Sequence, residues 1–197
     1  MDYSRILQEL SQNGTNIITT QMAEHAGVSR AVLSRLCKEG VLQRLAKGQY
    51  ILPSIIPDEL LSISLRTEHL VFSHETALFL HGISDRTPFV HAVTVPSHKV
   101  PSPSLRELCK VYYIQPELFE MGKRTLQTPF GNPVPCYDLE RTLCDVIRSR
   151  NKIGTETFLF ALRQYAASNK KDLNLLHMYA KEMKLTALVR QYLEVLL

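Results

Sequence analysis

Residues 15–52 read TNIITTQMAEHAGVSRAVLSRLCKEGVLQRLAKGQYIL. Thr19 and Thr20 stand where hydroxyl oxygens can accept the unpaired backbone N–H groups of a short helix, expected over residues 21–25. Gly27 follows as a turn residue tolerant of positive φ, and Val28 plugs the corner between two helices. Ser29 caps a second helix, expected to run to about Glu39 with Gly40 just past its end. On that helix Val32, Leu33 and Leu36 form an apolar stripe. Arg30, Ala31, Ser34, Arg35 and Lys38 fall at i, i+1, i+4, i+5 and i+8, a continuous face of small, polar and cationic side chains. Residues 41–45, the turn Ala46-Lys47-Gly48 and residues 49–52 then read as a β-hairpin with basic residues near its tip. Cap, short helix, Gly turn, basic-faced helix, Gly stop and hairpin, in that order, spell a winged helix-turn-helix. A plain αα-hairpin would share the first parts but not the cationic hairpin tip.

Such a unit places its second helix in a DNA major groove. Arg30 and Arg35 have the fork geometry for guanine or phosphate, and Ser34 is short enough to let the backbone approach. Lys38, Arg44 and Lys47 suit phosphates, which fix register without reading sequence. Thr20, Gln21, Ser29 and Gln49 complete the expected DNA-facing set. Apolar residues at 3, 6, 7 and 10 predict one more helix before these, completing a three-helix core.

A net charge of +4 suits an anionic partner without demanding one. With 45% hydrophobic residues in 197, the chain can bury a core of ordinary size, as one domain or two. No apolar run approaches a membrane span and no charged-then-apolar leader is visible, so a cytoplasmic protein without membrane contact is expected. Cys37, Cys109, Cys136 and Cys144 are far apart, without a CxxC pair, and read as reduced, mostly buried thiols.

Two prolines, Pro53 and Pro57, break the chain after the hairpin. The expected organisation is therefore a DNA-binding domain over 1–52, a linker over 53–57, and a second domain over 58–197. In the latter, Asp58 and Ser73 cap helices reaching about Thr67 and Leu80, the second ending at Gly82. Strands are expected at 91–95 and 111–114, with a loop at 100–104 between them, and a hairpin of 125–128 with 134–137. Helices follow at 139–150, 155–167, 173–183 and 185–196. The fold class is α+β: the winged helix-turn-helix, then a mixed α/β domain with a small sheet and a helical C-terminal half.

The segments SHETALFLHGISDRTPFVHAVTVPSHKVPSP (residues 73–103) and CYDLERTLCDVI (residues 136–147), behind the N-terminal unit, resemble the AbiEi-type antitoxins of bacterial abortive-infection toxin–antitoxin pairs. The resemblance rests on SHETAL…HGISD (Ser73 to Asp85), TVP (Thr94 to Pro96) and ERTLCD (Glu140 to Asp145), and it spans nearly the whole chain. It implies a type IV antitoxin in phage defence that represses its own operon. It further implies neutralisation of a nucleotidyltransferase-like toxin without a stable complex.

The same motifs carry residue types that could do chemistry. Ser73-His74-Glu75 has the residue types of a hydrolase triad, but adjacent helical positions are expected to point apart. His74 and His81 share a helix face, with His91 or His98 as further zinc candidates; hydrogen-bonded histidines are the simpler account. Asp138, Glu140 and Asp145 have the acids for a magnesium site, yet Arg141 stands at i−4 to Asp145, so an internal ion pair is expected. Neither cofactor, metal nor catalysis is therefore expected. Two other classes stay open, a DNA-targeted nuclease-like enzyme and a metabolite-responsive winged-helix regulator. Since one recognition helix reads few base pairs, two copies on inverted repeats of double-stranded DNA are expected from a monomer or weakly self-associating protein. Lys170, Lys171, Lys181 and Lys184 head a set of C-terminal cations that read equally as solvated helix faces or as an antitoxin surface.

Overall fold

The computed structural model describes residues 16–84 and 86–193. The helix expected at residues 3–10 lies outside them, as does the end of the one expected at 185–196. Two compact units emerge. The first runs to Arg66 and takes in Thr128–Asn132; the second comprises Thr67–Gln127 and the chain from Pro133 onward.

In the first unit β1 is Ile18–Thr19 and α1 is Thr20–His25, capped by the Thr19 hydroxyl, which accepts the Met22 N–H at 3.1 Å. Gly27, at φ +80°, turns the chain, and Ser29 caps α2, Arg30–Lys38, by accepting the Val32 N–H at 3.4 Å. Gly40 at φ +74° stops it. The apolar stripe is buried as its spacing requires: Leu33 and Leu36 pack with Ile18, Ala23, Val28 and Leu42. Burying a leucine of this kind contributes about 1.5–3 kcal/mol, so this small core fixes which face of α2 remains outside.

The hairpin consists of β2, Gln43–Ala46, and β3, Gln49–Ile51, with a register shift between Arg44 and Ala46. Strand β1 pairs antiparallel with β3, Ile18 opposite Tyr50, to give a three-stranded sheet in the order β1-β3-β2. Two residues are too few to show a period of two, which hid β1 from sequence reading.

The first unit continues past the expected linker at 53–57. Helix α3, Glu59–Ser64, buries Leu60, Leu61, Ser62 and Ile63. Its cap, Asp58, is itself buried: one carboxylate oxygen accepts the Leu61 N–H at 3.2 Å, and the other accepts the Thr128 hydroxyl at 2.5 Å and the Asn132 amide at 2.8 Å. Prolines disfavour a helix interior and interrupt a strand ladder, but they do not prevent the residues beyond them from packing on the same core.

The second unit is built on a five-stranded sheet in the order β6-β5-β4-β8-β7. Its strands are β4, Val71–Phe72; β5, His91–Pro96; β6, Cys109–Ile114; β7, Lys123–Gln127; and β8, Pro133–Tyr137. Pairs β5–β6 and β4–β8 are parallel, β4–β5 and β7–β8 antiparallel. Helix α4, His74–Leu80, follows β4. Helix α5, Pro103–Leu108, begins inside the loop expected at 100–104, because Ser102 accepts the Leu105 N–H at 3.3 Å and Pro103 occupies the first turn. Ser-Pro here starts a helix rather than interrupting one.

Helices α6, Leu139–Arg148; α7, Thr155–Ala167; α8, Leu173–Glu182; and α9, Thr186–Leu193, form the helical half. Leu143, Val146 and Ile147 of α6 meet Phe158 and Leu162 of α7, Leu176 and Tyr179 of α8, and Val189 of α9 in one apolar cluster. Arg141, wholly buried within α6, is the polar pin of this unit. Its Nε donates to Asp145 Oδ2 at 3.1 Å and its Nη1 to the Leu118 and Met121 carbonyls at 2.7 and 2.8 Å; its guanidinium carbon lies 4.2 Å from the Tyr137 ring centroid. Arg148 binds the other Asp145 oxygen at 2.8 Å. The ion pair expected from the i, i+4 spacing is present. Burial pushes the Asp145 carboxyl up, against the downward pull of Arg141 and Arg148.

Candidate nucleic-acid interface

Helix α2 offers solvent the face its buried leucines leave free. Ser29, Arg30, Ala31, Ser34, Arg35 and Lys38 are all exposed. Exposed Gln21 stands on α1, and exposed Arg44 and Lys47 on the hairpin. Thr20 is half-buried; its N–H donates to the Gly48 carbonyl at 2.9 Å, fastening the start of α1 to the hairpin turn. At Gly48, φ +75°, an added Cβ would come within 3.3 Å of the Thr20 hydroxyl, so a side chain there would press on that hydroxyl besides straining the left-handed backbone.

The cationic face is partly neutralised in this state. Arg30 Nε donates to Glu24 Oε1 at 2.8 Å, and Arg35 Nε lies 3.7 Å from Glu39 Oε1. Exposed pairs of this kind contribute 0–1 kcal/mol, so a phosphate or a guanine edge can displace the carboxylate at small cost.

Gln49 does not belong to the exposed face. It is 3% exposed, with its amide nitrogen donating to the Ser62 carbonyl at 2.9 Å and its amide oxygen accepting the Ser62 hydroxyl at 2.7 Å. Alternation along β3 turns it inward with Ile51, while Tyr50 between them is half-buried. The signal was available in that alternation, but a polar residue in a three-residue strand looked solvent-facing.

The four lysines of the second unit are not brought together. Lys170 is exposed ahead of α8, whereas Lys181 and Lys184 stand at its far end, roughly 15 Å along a ten-residue helix. Lys171 is committed elsewhere: its ammonium donates to the Ala166 and Ser168 carbonyls at 2.9 and 3.2 Å, closing the end of α7.

The serine and histidines of the candidate catalytic motifs are held by hydrogen bonds within the second unit. Contrary to expectation, Ser73 and His74 do meet, with Oγ 2.9 Å from Nδ1. Ser73 is extended at φ −147° and His74 is left-handed at φ +49°, so helical geometry does not govern the pair. Both side chains are fully buried, and Ser73 Oγ also accepts the Thr94 hydroxyl at 2.8 Å. His81 Nε2 lies 2.8 Å from the Tyr137 carbonyl, and His91 Nδ1 lies 3.4 Å from the Thr76 hydroxyl. Among the described residues, no group of three or more histidine, cysteine or acidic side chains is placed to hold a metal ion, and no helix is long and apolar enough to cross a membrane.

Comparison with known proteins bears on both units. No curated protein sequence matches the chain. The crystal structure of the RV2827C protein from Mycobacterium tuberculosis superposes with a TM-score of 0.67 at 18% identity, covering 97% of this chain and 80% of that one. At that identity it is the fold that is shared. Residues 4–53 match the family model described as transcriptional regulator, AbiEi antitoxin. Over this N-terminal segment, about a quarter of its length, the chain is thus similar to AbiEi-type antitoxin transcriptional regulators.

Proposed function

We propose that the first unit is a winged helix-turn-helix that reads DNA through α2, and that the protein represses the operon encoding it. The observation that carries this reading is the division of α2: Leu33 and Leu36 are buried, and Arg30, Ser34, Arg35 and Lys38 are exposed together. Polar and cationic side chains on one face, with a small residue between the arginines, suit major-groove entry. Arg44 and Lys47 on the hairpin supply phosphate contacts beside it.

Antitoxin activity belongs, on this proposal, to the second unit. The toxin would be a nucleotidyltransferase-like protein neutralised without a stable complex, and the setting a cytoplasmic type IV phage-defence pair. The chain acts without a cofactor, metal or catalysis of its own, and two copies occupy inverted repeats one helical turn, about 10 base pairs, or a multiple apart. A gel shift with the promoter fragment tests the DNA-binding part. Two stepwise complexes on a repeat-bearing fragment are expected, whereas equal affinity for random DNA would refute it. Growth rescue by the full-length protein, with the toxin expressed from an unrelated promoter, tests the rest.

A further inference from the structure

The second unit holds a cleft that neither the DNA-binding nor the antitoxin reading uses. It opens beside β6, an edge strand of the sheet, where Tyr112, Tyr113, Arg148, Ser149, Asn151 and Lys152 line about 380 Å³. That is the size of a small-ligand pocket. Three separate features converge on it. The first is strain: His74 holds a left-handed backbone at φ +49°, uncommon for a non-glycine residue and concentrated at functional sites. The strained turn delivers its ring onto two cleft residues. It stacks on Tyr112 with centroids 3.5 Å apart and planes 11° from parallel, and Nε2 lies 3.1 Å from the Ser149 hydroxyl. The second is the buried Tyr112 hydroxyl, which has the Lys110 ammonium beside it, so a cation stands behind the ring at the cleft wall. The third is charge. Lys110, Arg141, Arg148 and Lys152 bear on His74, while the carboxylates paired with them are Glu75 and Asp145, leaving two positive charges over.

We propose that this cleft binds a nucleotide through its phosphate. The phosphate oxygens accept from exposed Lys152, from Arg148 donors other than the one on Asp145, and from the Ser149 hydroxyl. The half-exposed Tyr113 ring at the cleft wall offers the base a stacking surface. His74 touches the hydroxyl-bearing residues rather than the open cleft and acts as their positioning residue. Burial and the surrounding cations pull its ring well below the usual histidine range, so it meets them neutral.

The test is calorimetry and amide NMR of the full-length protein with three probes: adenosine monophosphate, inorganic phosphate and a 5′-phosphorylated RNA pentanucleotide. Shifts at Tyr112, Tyr113 and Ser149 through Lys152 are expected, with the monophosphate tighter than inorganic phosphate. Lys152→Ala should weaken binding about tenfold. It leaves in place the Lys152 carbonyl, which accepts Lys110 Nζ at 2.6 Å, so folding is not at issue. Tyr113→Ala should weaken it about fivefold or more, while Lys170→Ala leaves it unchanged. Tighter binding of the RNA, still dependent on Lys152 and Tyr113, assigns the phosphate to a strand; equal binding assigns it to a free nucleotide. Inorganic phosphate binding as tightly as the nucleotide, shifts confined to Arg30 through Lys47, or wild-type affinity in both variants would overturn the proposal.

Discussion

Gln49 and Ser62 hold each other by two hydrogen bonds, the Ser62 hydroxyl donating to the Gln49 amide oxygen at 2.7 Å and the Gln49 amide donating to the Ser62 carbonyl at 2.9 Å. The pair ties the hairpin to α3 within the first unit. Gln49→Ala leaves a buried carbonyl and a buried hydroxyl without their partners, which costs about 1–3 kcal/mol for each group left unsatisfied. Urea unfolding should show the loss. DNA affinity of the folded protein, measured well below the midpoint, should match the wild type; a specific loss of affinity at full stability would return Gln49 to the DNA-facing set.

His74 gives the protein a built-in acid sensitivity. Its ring is neutral when folded, while in the unfolded chain it titrates at the ordinary value, about 6.5. Below that value the unfolded state binds the extra proton, so stability falls as pH drops from about 6.5 toward the folded value, by at most about 1.4 kcal/mol per unit. Asn tolerates the left-handed backbone, so His74→Asn should flatten the slope between pH 7 and 5. Denaturant curves across that range check it, and parallel slopes in the two proteins would assign the acid sensitivity to other groups.

Gly122 stands against Arg141 in a way that admits no side chain. An added Cβ would lie 2.6 Å from Arg141 Cβ, and φ is +77°. Arg141 cannot retreat, because its guanidinium is fixed on Asp145 and on the Leu118 and Met121 carbonyls. Gly122→Ala should therefore cost more than about 1 kcal/mol, the upper range for a simple glycine effect. Thermal unfolding decides it; a variant that melts with the wild type would mean the loop can move away from α6.

What the sequence disclosed follows from where local rules act alone. Thr19, Ser29 and Asp58 were legible as caps because a cap needs only its own helix start, whereas Asp138, read only as a candidate metal-binding acid, caps α6 by accepting the Arg141 N–H at 2.9 Å. The α2 face was legible because its period of 3.6 runs over nine residues. Gln49, Lys171 and the Ser73–His74 contact were misread or missed because their partners are set by tertiary geometry: Ser62 is thirteen residues away, and the left-handed turn at His74 follows no composition cue. The extent of the first unit was hidden likewise, since Asp58 finds Thr128 and Asn132 seventy or more residues along the chain.

The contacts of the proposed DNA face can be sorted by charge and by neighbour. Arg30 and Arg35 have carboxylate neighbours on the same surface, Glu24 and Glu39, so each must exchange a weak surface pair for a bond to DNA. If either reads a base edge, its replacement by Ala should cost about 1–3 kcal/mol and relax preference at one position of the operator. Glu24→Gln acts in the opposite direction, releasing Arg30 and removing a charge that repels phosphate, and should tighten binding. Lys47, exposed at the hairpin turn, should contribute only charge. Lys47→Ala should weaken operator and random DNA alike and lower the salt slope by about one unit. Filter binding at graded salt concentrations on operator and scrambled fragments measures all four variants together. Unchanged salt dependence in Lys47→Ala would take the hairpin off the DNA, and weaker binding by Glu24→Gln would mean that its pair with Arg30 holds the arginine in the productive geometry rather than away from it.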